Sequence, residues 1–409
     1  LIWFHRDKKS KYRKNEMIRK GRLFTPGPTQ LLPSAQLAMA AATMHHRTAE
    51  FRALYTRVLA DLKTFVGTRN DVVMFTASGT GAMEAAVANL TSPGDKVLVV
   101  SAGKFGERWE GLAKAYSCEL ETVRAPYGET VKPQQVREKL KPEHKALFIQ
   151  ATESSTGVRH DVEGIARLLK GTDTLLVVDA ITGLGTTHFD VDGWGIDMLI
   201  GGSQKAVMVP PGLAYCSVSD RAWQRMETTK NPRYYFDLRK ERKNGAKGES
   251  SYTPSTALVA ALAAALDYIR EQGGGDLAAG RKLLVENAET AAAMTRAAAN
   301  ALGLRLFSAS SPGAALTAIA APDGANSSDI VKAFRNHFGA IIADGQGEMK
   351  GQLFRIAHLG YYDYLDTIAA IGALEQVLAE MGRPVELGSG LRAAQQVYAE
   401  STQPAVAAR

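Results

Sequence analysis

Residues 197–206 read Asp197-Met198-Leu199-Ile200-Gly201-Gly202-Ser203-Gln204-Lys205-Ala206, and Pro210-Pro211-Gly212 closes the segment downstream. The apolar run up to Ile200 reads as a buried strand and the glycines after it as a turn, which places Lys205 at the rim of a sheet. Glycine on one side lets the backbone come close to a bound molecule, and proline on the other fixes the geometry of the turn. That setting suits an amine held for covalent chemistry. A loop lysine taken alone is more often a solvated charge, so the surrounding chain has to decide.

Outward from this segment, residues 71–218 alternate between two patterns. Short apolar, β-rich runs fall at 72–76, 96–100, 119–123, 146–150, 175–179, 198–201 and 214–218. Helical stretches lie between most of them; in 161–170, for example, Val162, Ile165 and Leu169 share one face. The layout predicts an α/β fold, a mainly parallel seven-stranded sheet between helices. Ligands of such sheets bind beyond the carboxyl ends of the strands.

The informative polar residues cluster at those ends. Ser78-Gly79-Thr80-Gly81 follows the first run and opens a helix at 82–89, so backbone amides and small hydroxyls form a seat for a phosphate, although tight packing explains the glycines equally well. No GK[ST] follows and the spacing is not GxGxxG, which disfavours nucleotide and dinucleotide loops. Asp179 ends a run that is apolar on both faces, and a carboxylate there needs a partner such as an aromatic nitrogen cation. Glu153-Ser154-Ser155-Thr156-Gly157 presents hydroxyls after 146–150, either to a ligand or as caps ahead of Asp161. Arg355, between Phe354 and Ile356 in another apolar run, needs an anionic ligand or an internal acid.

The 409 residues are enough for two domains. The net charge of +7 includes six basic residues (Arg6, Lys8, Lys9, Lys11, Arg13, Lys14) against Asp7 and Glu16 within 1–16, a net of +4, and leaves +3 for the rest. Residues 1–22 are therefore expected to be a loose basic extension, and no nucleic-acid partner is expected. No apolar run reaches a membrane span and the basic start lacks an apolar segment after it, so a cytoplasmic protein is expected, with no membrane partner. Cys118 and Cys216 lack a CxxC partner and read as reduced core thiols. Adjacent His45 and His46 have no carboxylate or cysteine at ligand spacing, so no metal is expected. Beyond 257–269, an alanine-rich buried helix, a C-terminal α+β region shows strand runs at 304–307, 316–320, 341–343 and 354–357, with helices at 327–338 and 364–381. The expected division is 23–280 for a large domain, 281–383 for a smaller one, and 384–409 for a loose tail.

Taken together, TPGPT (25–29), SGTGAMEAA (78–86), GKFGER (103–108), ESSTG (153–157), VVDAITGLG (177–185), GSQKA (202–206) with PPG (210–212), TP (253–254) and FRIAHLG (354–360) carry a family likeness. The chain resembles the class V aminotransferases, fold-type I enzymes that use pyridoxal 5'-phosphate (PLP), and within them the alanine/serine-glyoxylate (pyruvate) aminotransferase group. The resemblance implies a large PLP-binding domain and a smaller C-terminal α+β domain. It implies that Lys205 forms the Schiff base and shuttles a proton, that Asp179 pairs with the ring nitrogen, and that Ser78, Gly79, Thr80 and Gln204 hold the phosphate. Phe105 would stack on the ring, Ser154 would lie near the ring hydroxyl, and Gly27 and Arg355 would bind the substrate, Arg355 clamping its carboxylate. Tyr252 and Thr253 would reach the phosphate of a neighbouring subunit, which implies a homodimer with shared active sites. The implied reaction moves an amino group from a small amino acid (alanine, serine or aspartate) to a 2-oxo acid (glyoxylate or pyruvate). A lyase or desulfurase of the same fold, or a cofactor-free binding protein, are the alternatives.

Overall fold

The computed structural model describes residues 18–41 and 44–402. Its centre is a sheet of seven strands, β1 (Asp71–Phe75), β2 (Lys96–Ser101), β3 (Glu119–Arg124), β4 (Ala146–Gln150), β5 (Leu175–Asp179), β6 (Met198–Gly202) and β7 (Ala214–Val218), in the order β1-β7-β6-β5-β4-β2-β3. Neighbours are parallel except at β7, which runs antiparallel to both β1 and β6. This is the expected α/β fold. Strands β4 to β7 are buried at every position, which explains why they read as continuous apolar runs: helices cover both faces of the sheet.

On one face lies helix Ala49–Val66, started by Thr48, whose side chain accepts the Phe51 N–H at 3.3 Å, and ended by Gly67 at φ 78°. Its stripe of Phe51, Tyr55, Val58, Leu62 and Phe65 packs into one core with Leu262 and Leu266. On the other face Met83, Val87 and Leu90 of helix Gly79–Leu90 pack with Trp109, Phe148 and Val177. Each such side chain contributes about 1.5–3 kcal/mol by leaving water.

The C-terminal unit is built on strands Leu316–Ala320, Ala343–Asp344 and Leu353–Ala357, with Leu353–Ala357 antiparallel to both others. The strand expected at 304–307 amounts to one bridge, Leu306 to Ile319. The run expected at 341–343 divides: Ala340–Ile341 pairs with Arg22–Leu23, and Ala343–Asp344 pairs with the strand that carries Arg355.

Among the described residues, parts of the two segments expected to be loose are ordered. Arg22 pairs in parallel with Ala340, and Phe24, 2% exposed, sits among Phe334, Phe354 and Ile356 in the core of the C-terminal unit. The expected boundary between 22 and 23 therefore cuts a strand, and residues 22–24 pack with the C-terminal unit. Within the expected tail, Ser389–Thr402 is a helix whose Leu391, Ala394 and Val397 pack on Met294, Ala298 and Ile371. Glu375 caps its start by accepting the N–H groups of Gly388 at 2.8 Å and Leu391 at 3.0 Å. The Ala- and Gln-rich composition hides this stripe because alanine reads as neutral where it fills a close contact. The basic residues of 1–16 lie outside the described residues. Among the described residues no helix is long and apolar enough to cross a membrane.

Candidate active site

Strands β1, β2, β4, β5 and β6 point the same way, so the residues that leave their carboxyl ends share one rim. The turn after β6 is over-determined. Ser203 Oγ donates to the Pro210 carbonyl at 2.6 Å and accepts the Leu213 N–H at 3.1 Å, while Met208, at φ 57°, donates its N–H to the Lys205 carbonyl at 3.0 Å. Thr29 straps the turn from the N-terminal side, its Oγ1 donating to the Lys205 carbonyl at 3.0 Å. Lys205 is 8% exposed and its Nζ donates to the Pro26 carbonyl. Gly27 has φ 144°, a conformation that side chains rarely adopt, and a Cβ there would stand 2.5 Å from Lys205 Nζ and displace the amine. Burial lowers the Lys205 pKa to about 8; Asp179 opposes that shift, and the Arg355 and Arg108 charges add to it.

Asp179 closes β5 with its carboxylate buried, accepting the Ile181 N–H at 2.9 Å. Burial pushes its pKa up to about 6, while the Ile181 bond and the charges of Arg108 and Lys205 pull the other way. Beyond β1, Ser78 starts helix Gly79–Leu90 in an extended conformation without a side-chain cap bond, which leaves its hydroxyl uncommitted to the helix. Gly79 lets the rim close up, because a Cβ would meet Ile181 Cδ1 at 2.4 Å. Thr80 Oγ1 accepts from Arg108 Nη1 at 3.1 Å, and the same guanidinium lies 4.6 Å over the Phe105 ring. Gln204 Oε1 is buried with no hydrogen-bond partner.

Phe105 stands at the start of helix Lys104–Ala115, whose N-cap, Gly103, offers no side chain. Glu153, beyond β4, supplies the cap: its Oε2 accepts the N–H groups of Phe105 and Gly106, each at 3.1 Å. Ser154 is buried, and its carbonyl accepts from Arg355 Nη1 at 2.7 Å. The second arm of Arg355, Nη2, donates to the Asp344 carbonyl at 2.5 Å, and its Nε is buried without a partner. Arg355 is 3% exposed, and burial lowers its pKa to about 10 against the charges of Glu153 and Asp344. Its direct partners are thus two neutral carbonyls and not the internal acid that a buried arginine could have had.

The structure brings Lys205, Asp179, Ser78, Gly79, Thr80, Gln204, Phe105, Ser154, Gly27 and Arg355 to this rim. Tyr252 lies on a different ledge, where its hydroxyl donates to the Tyr234 carbonyl at 2.8 Å, accepts from Lys240 Nζ at 3.0 Å, and its ring stacks on Tyr235 at 5.0 Å. Thr253 lines a cleft there with Thr76 and Tyr235. Glu153 and Arg108 had no role in the sequence reading. The signal for Glu153 was a carboxylate directly beyond a buried strand, as for Asp179; Arg108 gave none. Among the described residues no group of three or more His, Cys, Asp or Glu is placed to hold a metal ion.

These features define a fold-type I enzyme, and comparison with known proteins names the family. The chain matches Aminotransferase class-V over residues 32–347 and belongs to that family. A Synechococcus sp. protein named soluble hydrogenase, small subunit, is 38% identical over 385 residues, 92% of this chain and 98% of its own. The L-aspartate–glyoxylate aminotransferase of Paracoccus denitrificans is 33% identical, covering 95% of this chain and 99% of its own. The crystal structure of pyridoxamine-pyruvate aminotransferase from Mesorhizobium loti superposes with a TM-score of 0.88 at 27% identity, over 96% of this chain and 100% of that one. The protein is thus an enzyme, a PLP-dependent transaminase.

The rim fits that cofactor. A phosphate needs donors, and the amides opening helix Gly79–Leu90 stand beside the Ser78 hydroxyl and Thr80. A protonated ring nitrogen needs a carboxylate, and Asp179 is buried with a raised pKa and without a contacting cation among the described residues.

Proposed function

We propose that this aminotransferase moves the amino group of a small amino acid, alanine, serine or aspartate, to glyoxylate or pyruvate. One observation carries the reading: the buried Lys205 amine, the buried Asp179 carboxylate and the buried Arg355 guanidinium, which donates to two backbone carbonyls and to no acid, stand at one rim. Lys205 would hold PLP covalently, Asp179 its ring nitrogen, Ser78, Gly79, Thr80 and Gln204 its phosphate, and Phe105 and Ser154 its ring. Bound there, PLP supplies an electron sink for the electron pair left when the substrate Cα–H bond breaks. Asp179, ionised above about pH 6, keeps the ring nitrogen protonated. Arg355 offers a forked donor to the substrate carboxylate, and Gly27 leaves room beside Lys205 Nζ, which takes the proton from Cα and returns it.

We assign the cofactor to the sheet-centred unit and the carboxylate clamp to the C-terminal unit. Tyr252 and Thr253 serve the phosphate of a second copy; the support is their place on an aromatic ledge where Tyr234 is 79% and Tyr235 40% exposed. The resulting homodimer acts in the cytoplasm, a compartment that suits its two free, buried cysteines. A desulfurase of this fold would need a nucleophilic thiol in the C-terminal region, and residues 281–409 contain no cysteine.

The test is a half-reaction screen. PLP-loaded protein is mixed with L-alanine, L-serine or L-aspartate while the visible band of the bound cofactor is followed. At least one donor should bleach it, and glyoxylate or pyruvate should restore it. If none of the three does so, the donor assignment is wrong.

A further inference from the structure

Glu153 is fully buried, and its carboxylate is surrounded by donors. Oε2 accepts the N–H groups of Phe105 and Gly106, both at 3.1 Å; Oε1 accepts the Ser155 N–H at 3.2 Å and the Ser155 hydroxyl at 2.5 Å. Ser155 Oγ in turn accepts the Lys104 N–H at 3.1 Å, which fixes the direction of its own proton toward Glu153. Burial raises the pKa of Glu153, yet every contact donates to it, so the geometry holds the ionised form. The cradle is built for it: at Gly103 a Cβ would stand 2.5 Å from Ser155 Oγ and 2.6 Å from Glu153 Cδ. A side chain at 103 would evict the carboxylate.

This carboxylate joins two parts of the site that the sequence keeps far apart. Through Phe105 and Gly106 it fixes the first turn of helix Lys104–Ala115 and hence the base of the Phe105 ring. Through the adjacent residue it reaches Arg355, which donates to the Ser154 carbonyl at 2.7 Å. Glu153 is also the leading charge that favours the protonated form of Arg355. It does so without touching the guanidinium, whose direct partners are the carbonyls of Ser154 and Asp344. A contacting carboxylate would compete with substrate for the fork, whereas one set behind a backbone carbonyl holds the arginine charged and aimed while leaving it free to bind.

We propose that Glu153 is a positioning residue that sets the carboxylate affinity of Arg355 and the seating of Phe105, an inference that rests on the roles given to those two residues above. Glu153→Gln keeps the volume, but its amide turns an N–H toward backbone N–H groups and removes the charge behind Arg355. In the PLP-loaded protein, acetate is used as a carboxylate probe, its inhibition constant being measured against the amino donor across pH. That constant should rise about tenfold in Glu153→Gln, because the charge behind the Ser154 carbonyl that aims Arg355 is gone. The visible circular dichroism of the bound cofactor should change as Phe105 shifts. A merely structural residue would lower the melting temperature and leave the acetate constant alone, so a constant within about twofold of wild type at every pH overturns the proposal. If Glu153→Gln does not fold, Ser155→Ala, which keeps the carboxylate and its backbone donors, should weaken acetate binding about threefold, and an unchanged constant there overturns it equally. Wild-type protein that binds PLP but not acetate would instead contradict the reading of Arg355.

Discussion

Asp179 and Asp197 are buried carboxylates at opposite rims of one sheet, 5% and 2% exposed. Asp197, just before β6, accepts the Leu176 N–H at 2.9 Å and the Ser219 hydroxyl at 2.7 Å, with Arg221 at 3.8 Å. It ties together the starts of β5 and β6 and the helix that follows β7. Asp179, at the end of β5, accepts a single N–H, from Ile181, among the described residues. Burial raises the pKa of both, but at Asp197 the fold supplies partners on both oxygens. At Asp179 the donor supplied among the described residues is the Ile181 N–H alone. Burial alone therefore does not separate a structural acid from a functional one; the bonding does.

The largest effect that could break this contrast is on turnover. Asp179→Asn should lower kcat on the order of 100-fold or more, since it removes a charge aimed at the reacting system. The same change should spare the unliganded fold. The folded carboxyl keeps its proton up to about pH 6 against 3.8 for an ordinary aspartate, so the folded state binds more protons and the apoprotein loses stability as pH climbs from about 4 to about 6. Melting curves of the apo variant should lack that loss. A variant with near-normal kcat would make Asp179 another Asp197.

Arg355→Lys sharpens the contrast from the opposite charge. A point charge cannot reproduce the fork, and kcat/KM for the amino donor should fall by about 2 kcal/mol, some 30-fold, with the cofactor band and the fold retained. An equal loss for amines without a carboxylate would place Arg355 in the scaffold. The smallest effect on chemistry is expected at Asp197→Asn, which removes the charge facing Arg221 and replaces one of the two accepting oxygens by an amide NH2. Urea denaturation should show a loss of about 1–3 kcal/mol, and kcat per folded molecule should stay within about twofold. Lost turnover with unchanged stability would reverse the assignments of the two aspartates.

The rim was legible in the sequence because its residues follow buried strands directly: Asp179 ends one, Lys205 comes just after another, and an unbroken apolar run marks each. Arg355 was legible for the same reason, as a charge inside such a run, although its carbonyl partners were not. Glu153 and Arg108 escaped because their roles come from side-chain contacts, with Phe105, Gly106 and Thr80, that bridge separate elements. No periodicity encodes such contacts. The helix Ser389–Thr402 escaped because its stripe contains Ala394, whose burial depends on the close approach of Met294 and Ala298. The strand expected at 304–307 had the right residues, but its pairing with the strand Leu316–Ala320 is confined to one bridge at Leu306, flanked by backbone bonds of Arg305 and Phe307.

The identity of the cofactor-bearing lysine tests the account most directly. Wild-type protein is incubated with PLP, reduced with borohydride, digested, and its peptides are weighed. Lys205 should carry the reduced pyridoxyl group at close to one per chain, and Lys205→Ala should carry none while still binding PLP reversibly. A stoichiometric adduct on any other lysine, or none on Lys205, would contradict the site described here.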